Sequence, residues 1–264
     1  MPSSAALRIQ IERELEHRYP AVLTPSPHTI REVVPTGIPE LDALLNGGLP
    51  VGAISELTGP ASSGRTSIAM AFLAQRTMEG NLCAWIDVND AFDPESAAAN
   101  GLCLKRLLWV RCRDTKLADQ NENKPKLRPG KDKPWTRLDQ AILATDLLLQ
   151  AGGFAAIVLD LADISIEHAR RIPLATWFRF RQAADRARCS LLVLGKAVYA
   201  QSSTAVVLEC KPLRAETSGG TVLRGFTYSA QRGRERFVPV TSITRKPPSS
   251  TWSTQAQWNS EKLA

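Results

Sequence analysis

The sequence predicts an α/β fold, a doubly wound and mostly parallel sheet with antiparallel strands towards its carboxyl end. Three observations carry that expectation. Short apolar runs alternate with helical segments, as over 53–57, 67–75 and 82–87. Residues 154–160 form an uninterrupted apolar run closed by Asp160, which suits a strand covered on both faces. Between the first strand and its helix lies Gly59-Pro60-Ala61-Ser62-Ser63-Gly64-Arg65-Thr66-Ser67, and strand, glycine-bounded loop, helix is the setting of a phosphate-binding loop.

Taken in order, residues 3–18 read as a helix capped by Ser3 or Ser4, with Leu7, Ile11 and Leu15 in a narrow stripe among charged neighbours. That stripe packs either on its own domain or on another subunit. Pro20, Pro25 and Pro27 make a linker, so residues 1–28 are an N-terminal helix and linker, an oligomerisation arm if the stripe packs on another subunit, and the core spans 29–240. Within the core, 36–45 is a short helix, and Asp93-Pro94 caps and opens another. A third strand covers 107–110. Residues 114–137 carry Pro125, Pro129 and Pro134 with Lys116, Lys124, Lys126, Arg128, Lys131 and Lys133, the composition of a mobile basic loop. Helices follow at 138–150 and about 168–188, with a strand at 191–194. Residues 205–210 and 222–230 read as antiparallel closing strands. The segment 241–264, rich in Ser, Thr, Gln and Pro, reads as a disordered tail.

The composition bounds the class. The chain has 264 residues, 44% of them apolar, enough for a sizeable core. A formal charge of +7 favours a polyanionic partner, although solubility alone would also account for it. Five scattered cysteines without metal-ligand spacing read as reduced, buried thiols of a cytoplasmic protein. The first residues include Glu12, Glu14 and Glu16 and lack the apolar centre of a signal peptide, and no run reaches the ~18 apolar residues of a membrane span.

In the loop 59–67, successive backbone N–H groups would curl into an anion-binding concavity in front of a helix dipole. Thr66 stands where a hydroxyl reaches a phosphate-bound Mg²⁺. The usual lysine is Arg65, and a planar guanidinium does not replace a compact ammonium between phosphate oxygens. Asp160 either sits beside that metal or caps the helix that follows. Around 168–188, Arg170, Arg171, Arg179, Arg181, Arg186 and Arg188 alternate with Trp177, Phe178 and Phe180. Arginines tracking phosphates beside aromatics that stack on bases would make a single-stranded DNA surface, whereas aromatics facing the core would make an ordinary helix. Lys124, Lys126, Arg128, Lys131 and Lys133, with Trp135, pose the same choice.

Several motifs together carry a resemblance. Thr36-Gly37 through Leu41-Asp42, Gly47-Gly48-Leu49-Pro50-Val51-Gly52, the loop itself, and Ile86-Asp87 through Asp93-Pro94 resemble the opening of RecA recombinases, specifically over about 33–110. Among these relatives the chain looks most like the ImuA branch, RecA-like accessory proteins of damage-induced (SOS) mutagenesis. The resemblance implies a RecA-like P-loop core binding ATP or ADP with Mg²⁺ through Gly59, Pro60, Ser62, Ser63, Gly64, Arg65, Thr66 and Ser67. It places Asp160 near the metal and Asp93 beside adenine, and sends Arg232 and Arg234 towards a neighbouring protomer, against a solvated hairpin tip as the plainer alternative. The implied partners are DNA, RecA, an ImuB-like Y-family protein and an error-prone C-family polymerase.

The sequence also departs from the family. The water-activating glutamate is Asn89, an amide that cannot accept a proton at neutral pH. The tyrosine over adenine is Ser96, the γ-phosphate-sensing glutamine is replaced by Gly195-Lys196, and the long DNA loop shrinks to about 197–204. These changes imply weak or lost nucleotide binding and little hydrolysis. A non-recombinogenic DNA-damage accessory protein is therefore the first reading, with an active DNA-dependent ATPase of recombination as the alternative. A cell-division inhibitor is a third, which no residue supports directly.

Overall fold

The computed structural model describes residues 31–113, 136–218, 222–235 and 247–255, and those from Glu32 onward belong to one compact unit. In chain order the elements are β1 (Val33–Val34), α1 (Pro39–Leu44), β2 (Leu49–Pro50), β3 (Ile54–Thr58), α2 (Arg65–Met78), β4 (Leu82–Asp87), α3 (Pro94–Ala99) and β5 (Leu107–Arg111). Then come α4 (Arg137–Ala151), β6 (Phe154–Asp160), α5 (Ile166–Ala169), α6 (Leu174–Ala187), β7 (Ser190–Gly195), β8 (Thr204–Ser218), β9 (Val222–Glu235) and β10 (Ser249–Gln255). Among the described residues the main sheet has eight strands in the order β10-β9-β8-β3-β7-β6-β4-β5. From β8 to β5 every pairing is parallel, while β9 and β10 run antiparallel to their neighbours.

The pleat sorts side chains to two cores. In β6, Ala156 and Val158 face the layer holding Ile68, Phe72 and Leu73 of α2, and Ile157 and Leu159 face Trp177, Phe180 and Ala184 of α6. Both faces are thus covered by helices, as the uninterrupted apolar strand requires. The ends of the helices are set by local chemistry. Thr136 and Asp139 form a reciprocal capping box that starts α4, and Thr36 donates both its N–H and its hydroxyl to Asp42 Oδ1 (2.6 and 2.8 Å), closing the turn onto α1.

β8 runs antiparallel to β9, as was expected of residues 205–210 and 222–230, and its other edge runs parallel to β3. Two expectations need correction. The single helix expected over 168–188 is two. Ser165 caps the short α5, and Pro173, which has no N–H to donate and a ring that cannot enter a helix interior, ends the connection before α6. The tail expected to be disordered from residue 241 supplies β10, whose Trp252 is buried in the core on the α2 side. Leu7, Ile11 and Leu15 of the arm, and Lys124, Lys126, Arg128, Lys131 and Lys133 of the basic loop, lie outside the described residues.

Candidate functional site: a phosphate loop at the strand ends

The carboxyl ends of β3, β7, β6 and β4 converge on the loop 59–64, at the crossover point where a doubly wound sheet holds its ligand. Gly59 has φ 152°, and a Cβ there would lie 2.2 Å from the Cys210 carbonyl oxygen, so β8 leaves room for glycine alone. Gly64, the residue before α2, has φ 85°. A Cβ on it would meet Trp252 at 3.0 Å and Tyr228 at 3.1 Å. Those two rings stack on each other with centroids 5.3 Å apart, so the loop rests on an aromatic floor built by β9 and β10.

Among the described residues, no carbonyl accepts from the N–H groups of Ala61 to Ser67. The Ser63 hydroxyl is buried without a partner. Seven free amides at a helix N-terminus and an orphaned hydroxyl form a cradle whose unmet donors fit a phosphate. Thr66 is exposed.

Arg65 behaves otherwise. Its side chain is buried, and Nη1 donates to the Gly195 carbonyl at 2.5 Å. The same oxygen accepts from the Gly59 N–H at 3.1 Å. Burial lowers the basicity of the guanidinium, with Asp160 the largest opposing charge.

Asp160 ends β6 beside its register partner Asp87 at the end of β4. Its Oδ1 accepts from the Ala162 N–H at 3.0 Å, a local cap of the kind read as the plainer alternative. Burial pushes its carboxyl up to about 6, aided by Asp87 and Asp163 and opposed by the Ala162 amide and Arg65. Asp87 itself is spent on structure, accepting from the N–H groups of Ala91 (3.0 Å) and Phe92 (2.9 Å) and from Trp109 Nε1 (3.2 Å).

Both aspartates of the neighbouring loop are engaged. Asp90, with φ 61°, is held by Arg111 through Nε (2.6 Å) and Nη2 (2.5 Å). Asp93 caps α3, accepting from the Glu95 and Ser96 N–H groups at 3.1 and 3.3 Å and from the Ser96 hydroxyl. The Ser96 hydroxyl bond, and then the Glu95 amide, hold its carboxyl below the usual range.

Of the arginine-rich helix, Trp177 and Phe180 belong to the core and only Phe178, 48% exposed, faces out. Arg181 lies over the Phe178 ring at 5.2 Å, and Arg179 pairs with Asp146 of α4 at 2.9 Å. Arg232 donates Nη1 to the Leu44 carbonyl at 3.0 Å, within its own chain. Arg234 pairs through its backbone with Val207.

Two elements of the site escaped the sequence reading. Trp252 sat in a segment too polar to suggest a core strand, although Ser249-Ser250-Thr251-Trp252-Ser253-Thr254 is β-prone with one large apolar residue. Glu56, one residue before Leu57 in an apolar strand, is fully buried and signals a specific set of donors.

A mostly parallel sheet with a glycine-bounded loop after β3 and an acid closing β6 is the arrangement of a RecA-like fold. Comparison with known proteins agrees. The RecA N-terminal domain matches residues 4–118. Protein RecA of Brucella anthropi is 35% identical over 130 residues, which is 49% of this chain and 30% of that protein. Protein RecA of a Nostoc species is 42% identical over 77 residues, 29% of this chain and 22% of that protein. The matched stretch is therefore under a third of each relative's length. In three dimensions the crystal structure of the RadB recombinase covers 83% of this chain and 94% of its own at a TM-score of 0.56, with 17% sequence identity, a likeness of fold. The sequence similarity is thus to RecA over part of the chain, and the similarity to RadB is one of fold.

Proposed function

We propose that the chain is a RecA-like DNA-binding protein that acts as an accessory factor in damage-induced mutagenesis, without recombinase activity and with a degenerate ATPase site. The observation that carries the reading is the bond from Arg65 to the Gly195 carbonyl. It withdraws the loop's cation from the phosphate cradle and places it against the strand end. Asn89 adds to this, since the end of β4 then carries no general base, and loss of such a group costs on the order of 10²–10⁴ in rate.

In this reading ATP or ADP is held weakly, by the free amides of residues 61–67 and the Ser63 hydroxyl, with Thr66 and Asp160 on the side of the Mg²⁺. The metal, when bound, supplies charge neutralisation at the phosphates. The chain's own residues then bind and orient the nucleotide without abstracting a proton from water. DNA contact falls to Arg179, Arg181 and the lysines of 124–133. Support for it comes from the net charge, from the exposed Phe178 beneath Arg181, and from the RecA relatives. RecA, a Y-family ImuB-like protein and a C-family polymerase are the partners that the ImuA resemblance suggests.

Steady-state ATP turnover with and without single-stranded DNA tests the reading. Turnover near background is expected, and Arg65→Lys combined with Asn89→Glu should raise it. Robust DNA-stimulated turnover by the unaltered chain would favour the recombination ATPase and sink the accessory reading.

A further inference from the structure

The phosphate loop is tied to the connection between β7 and β8 by two buried polar anchors. At the start of that connection, the Gly195 carbonyl takes both the Gly59 N–H and the Arg65 guanidinium. The chain then turns so tightly that a Cβ on Gly195 would stand 2.4 Å from Cε2 of Tyr199. The Tyr199 ring covers the glycine, and its hydroxyl accepts from the Lys196 N–H at 3.3 Å. At the far end, the Glu56 carboxylate accepts from the N–H groups of Tyr199 (2.7 Å) and Ala200 (2.9 Å) and from the Thr204 hydroxyl (2.6 Å). Both anchors stand on one piece of chain, Glu56 within β3 and Arg65 just after the loop that follows it.

These anchors differ in what can displace them. Glu56 is 1% exposed and saturated by three donors. Arg65 remains charged at any working pH, and its partner is a neutral carbonyl. A phosphate oxygen bears full charge, and a guanidinium binds an oxyanion more strongly and in two-toothed fashion. Arg65 is the first residue of α2, directly behind the cradle of free amides. An anion in the cradle and the Gly195 carbonyl therefore compete for one guanidinium.

We infer that Arg65 is a positioning residue that couples the two places: phosphate in the loop draws the guanidinium off Gly195 and loosens the turn 196–203. The coupling rests on the phosphate-loop reading above. It gives this shortened connection a response to the occupant of the loop that needs neither hydrolysis nor a side chain at position 195.

Hydrogen exchange of the full chain, read by mass spectrometry during titration with inorganic pyrophosphate, tests it. Residues 59–68 should become protected. Over the same concentrations the amides of Lys196, Tyr199, Ala200 and Ser203 should exchange faster, by about tenfold or more at saturation, as a local opening released from one anchor. Arg65→Met keeps an apolar stem in the buried path and removes the donor. In that variant the 196–203 amides should exchange fast from the outset and ignore pyrophosphate. If Arg65→Met fails to fold, the titration of the unaltered chain decides alone. Protection at 59–68 without acceleration at 196–203 overturns the coupling and leaves the loop reading intact. An absence of protection at 59–68 overturns both.

Discussion

Replacing Trp252 by alanine should destabilise the protein by about 2 kcal/mol, although the residue lies in a segment whose composition suggests a free tail. Trp252 is 4% exposed, stacks on Tyr228 at 5.3 Å and underlies Gly64. Truncating a buried aromatic to alanine costs about 3–5 kcal/mol, including the cavity it leaves. Against that, the indole N–H is buried without a partner, and an unsatisfied donor costs roughly 1–3 kcal/mol that the truncation gives back. Trp252→Phe separates the two effects. It removes the orphaned N–H and keeps a ring under Gly64, so it leaves a smaller void and should cost less than Trp252→Ala. Urea denaturation reads both variants, as a shift in midpoint at constant slope. Pyrophosphate affinity should fall with Trp252→Ala, because Gly64 keeps its φ of 85° with less beneath it. A loss below about 1 kcal/mol for Trp252→Ala would refute the packing argument and return residues 249–255 to the role of a tail.

Asp160 makes stability depend on pH. Its folded pKa is raised, from an ordinary 3.8 to about 6, so the native state binds the extra proton and the group's contribution is complete below about pH 4 and lost as pH rises through about 6. At neutral pH the shift corresponds to about 3 kcal/mol of destabilisation, so Asp160→Asn should be the more stable protein there, and its advantage over the unaltered chain should widen by about 1–1.5 kcal/mol between about pH 5 and pH 7.5 in urea melts. A constant gap across that range would contradict the burial argument. On the α6 face, Arg179→Ala with Arg181→Ala should weaken single-stranded DNA binding and reduce the slope of log affinity against log salt by about 1–2, as each lost phosphate contact removes ~0.7–0.9. Fluorescence anisotropy at several salt concentrations reads it, and an unchanged slope would remove this helix from the DNA surface.

The parts of the fold that were legible in the sequence are those where local pattern and tertiary demand coincide. Residues 154–160 and 82–87 are strands because continuous apolar runs between helices have one good use, burial on both faces of a parallel sheet. Asp93 was readable as a cap because aspartate before proline satisfies free amides with its own side chain. The parallel edge of 205–210 against β3 was not readable, since direction in a sheet depends on where the chain returns, and β8 enters beside β3 before folding back on β9. Nor was the sorting of aromatics in α6, where Trp177 and Phe180 fall on the core face and Phe178, one residue on from Trp177, does not. A spacing of 3.6 residues per turn separates such neighbours, but only the position of the sheet decides which one is buried.

In the site, the sequence showed Arg65 and Gly195 as two separate departures from a RecA-like pattern, and in the structure they meet. Any side chain at 195 would collide with the Tyr199 ring, so glycine there is what lets Tyr199 close over the strand end. The Gly195 carbonyl beneath that closure is the buried acceptor that the long, charged side chain of Arg65 reaches. A lysine ammonium is a compact point charge, whereas the guanidinium carries several donors in a rigid fork and suits a fixed buried acceptor. The two changes are therefore coupled, and restoring lysine at 65 alone would leave the Gly195 carbonyl with the Gly59 N–H as its one remaining donor of the pair. The loop cation and the strand end after it form one unit, and each should be altered with the other in view.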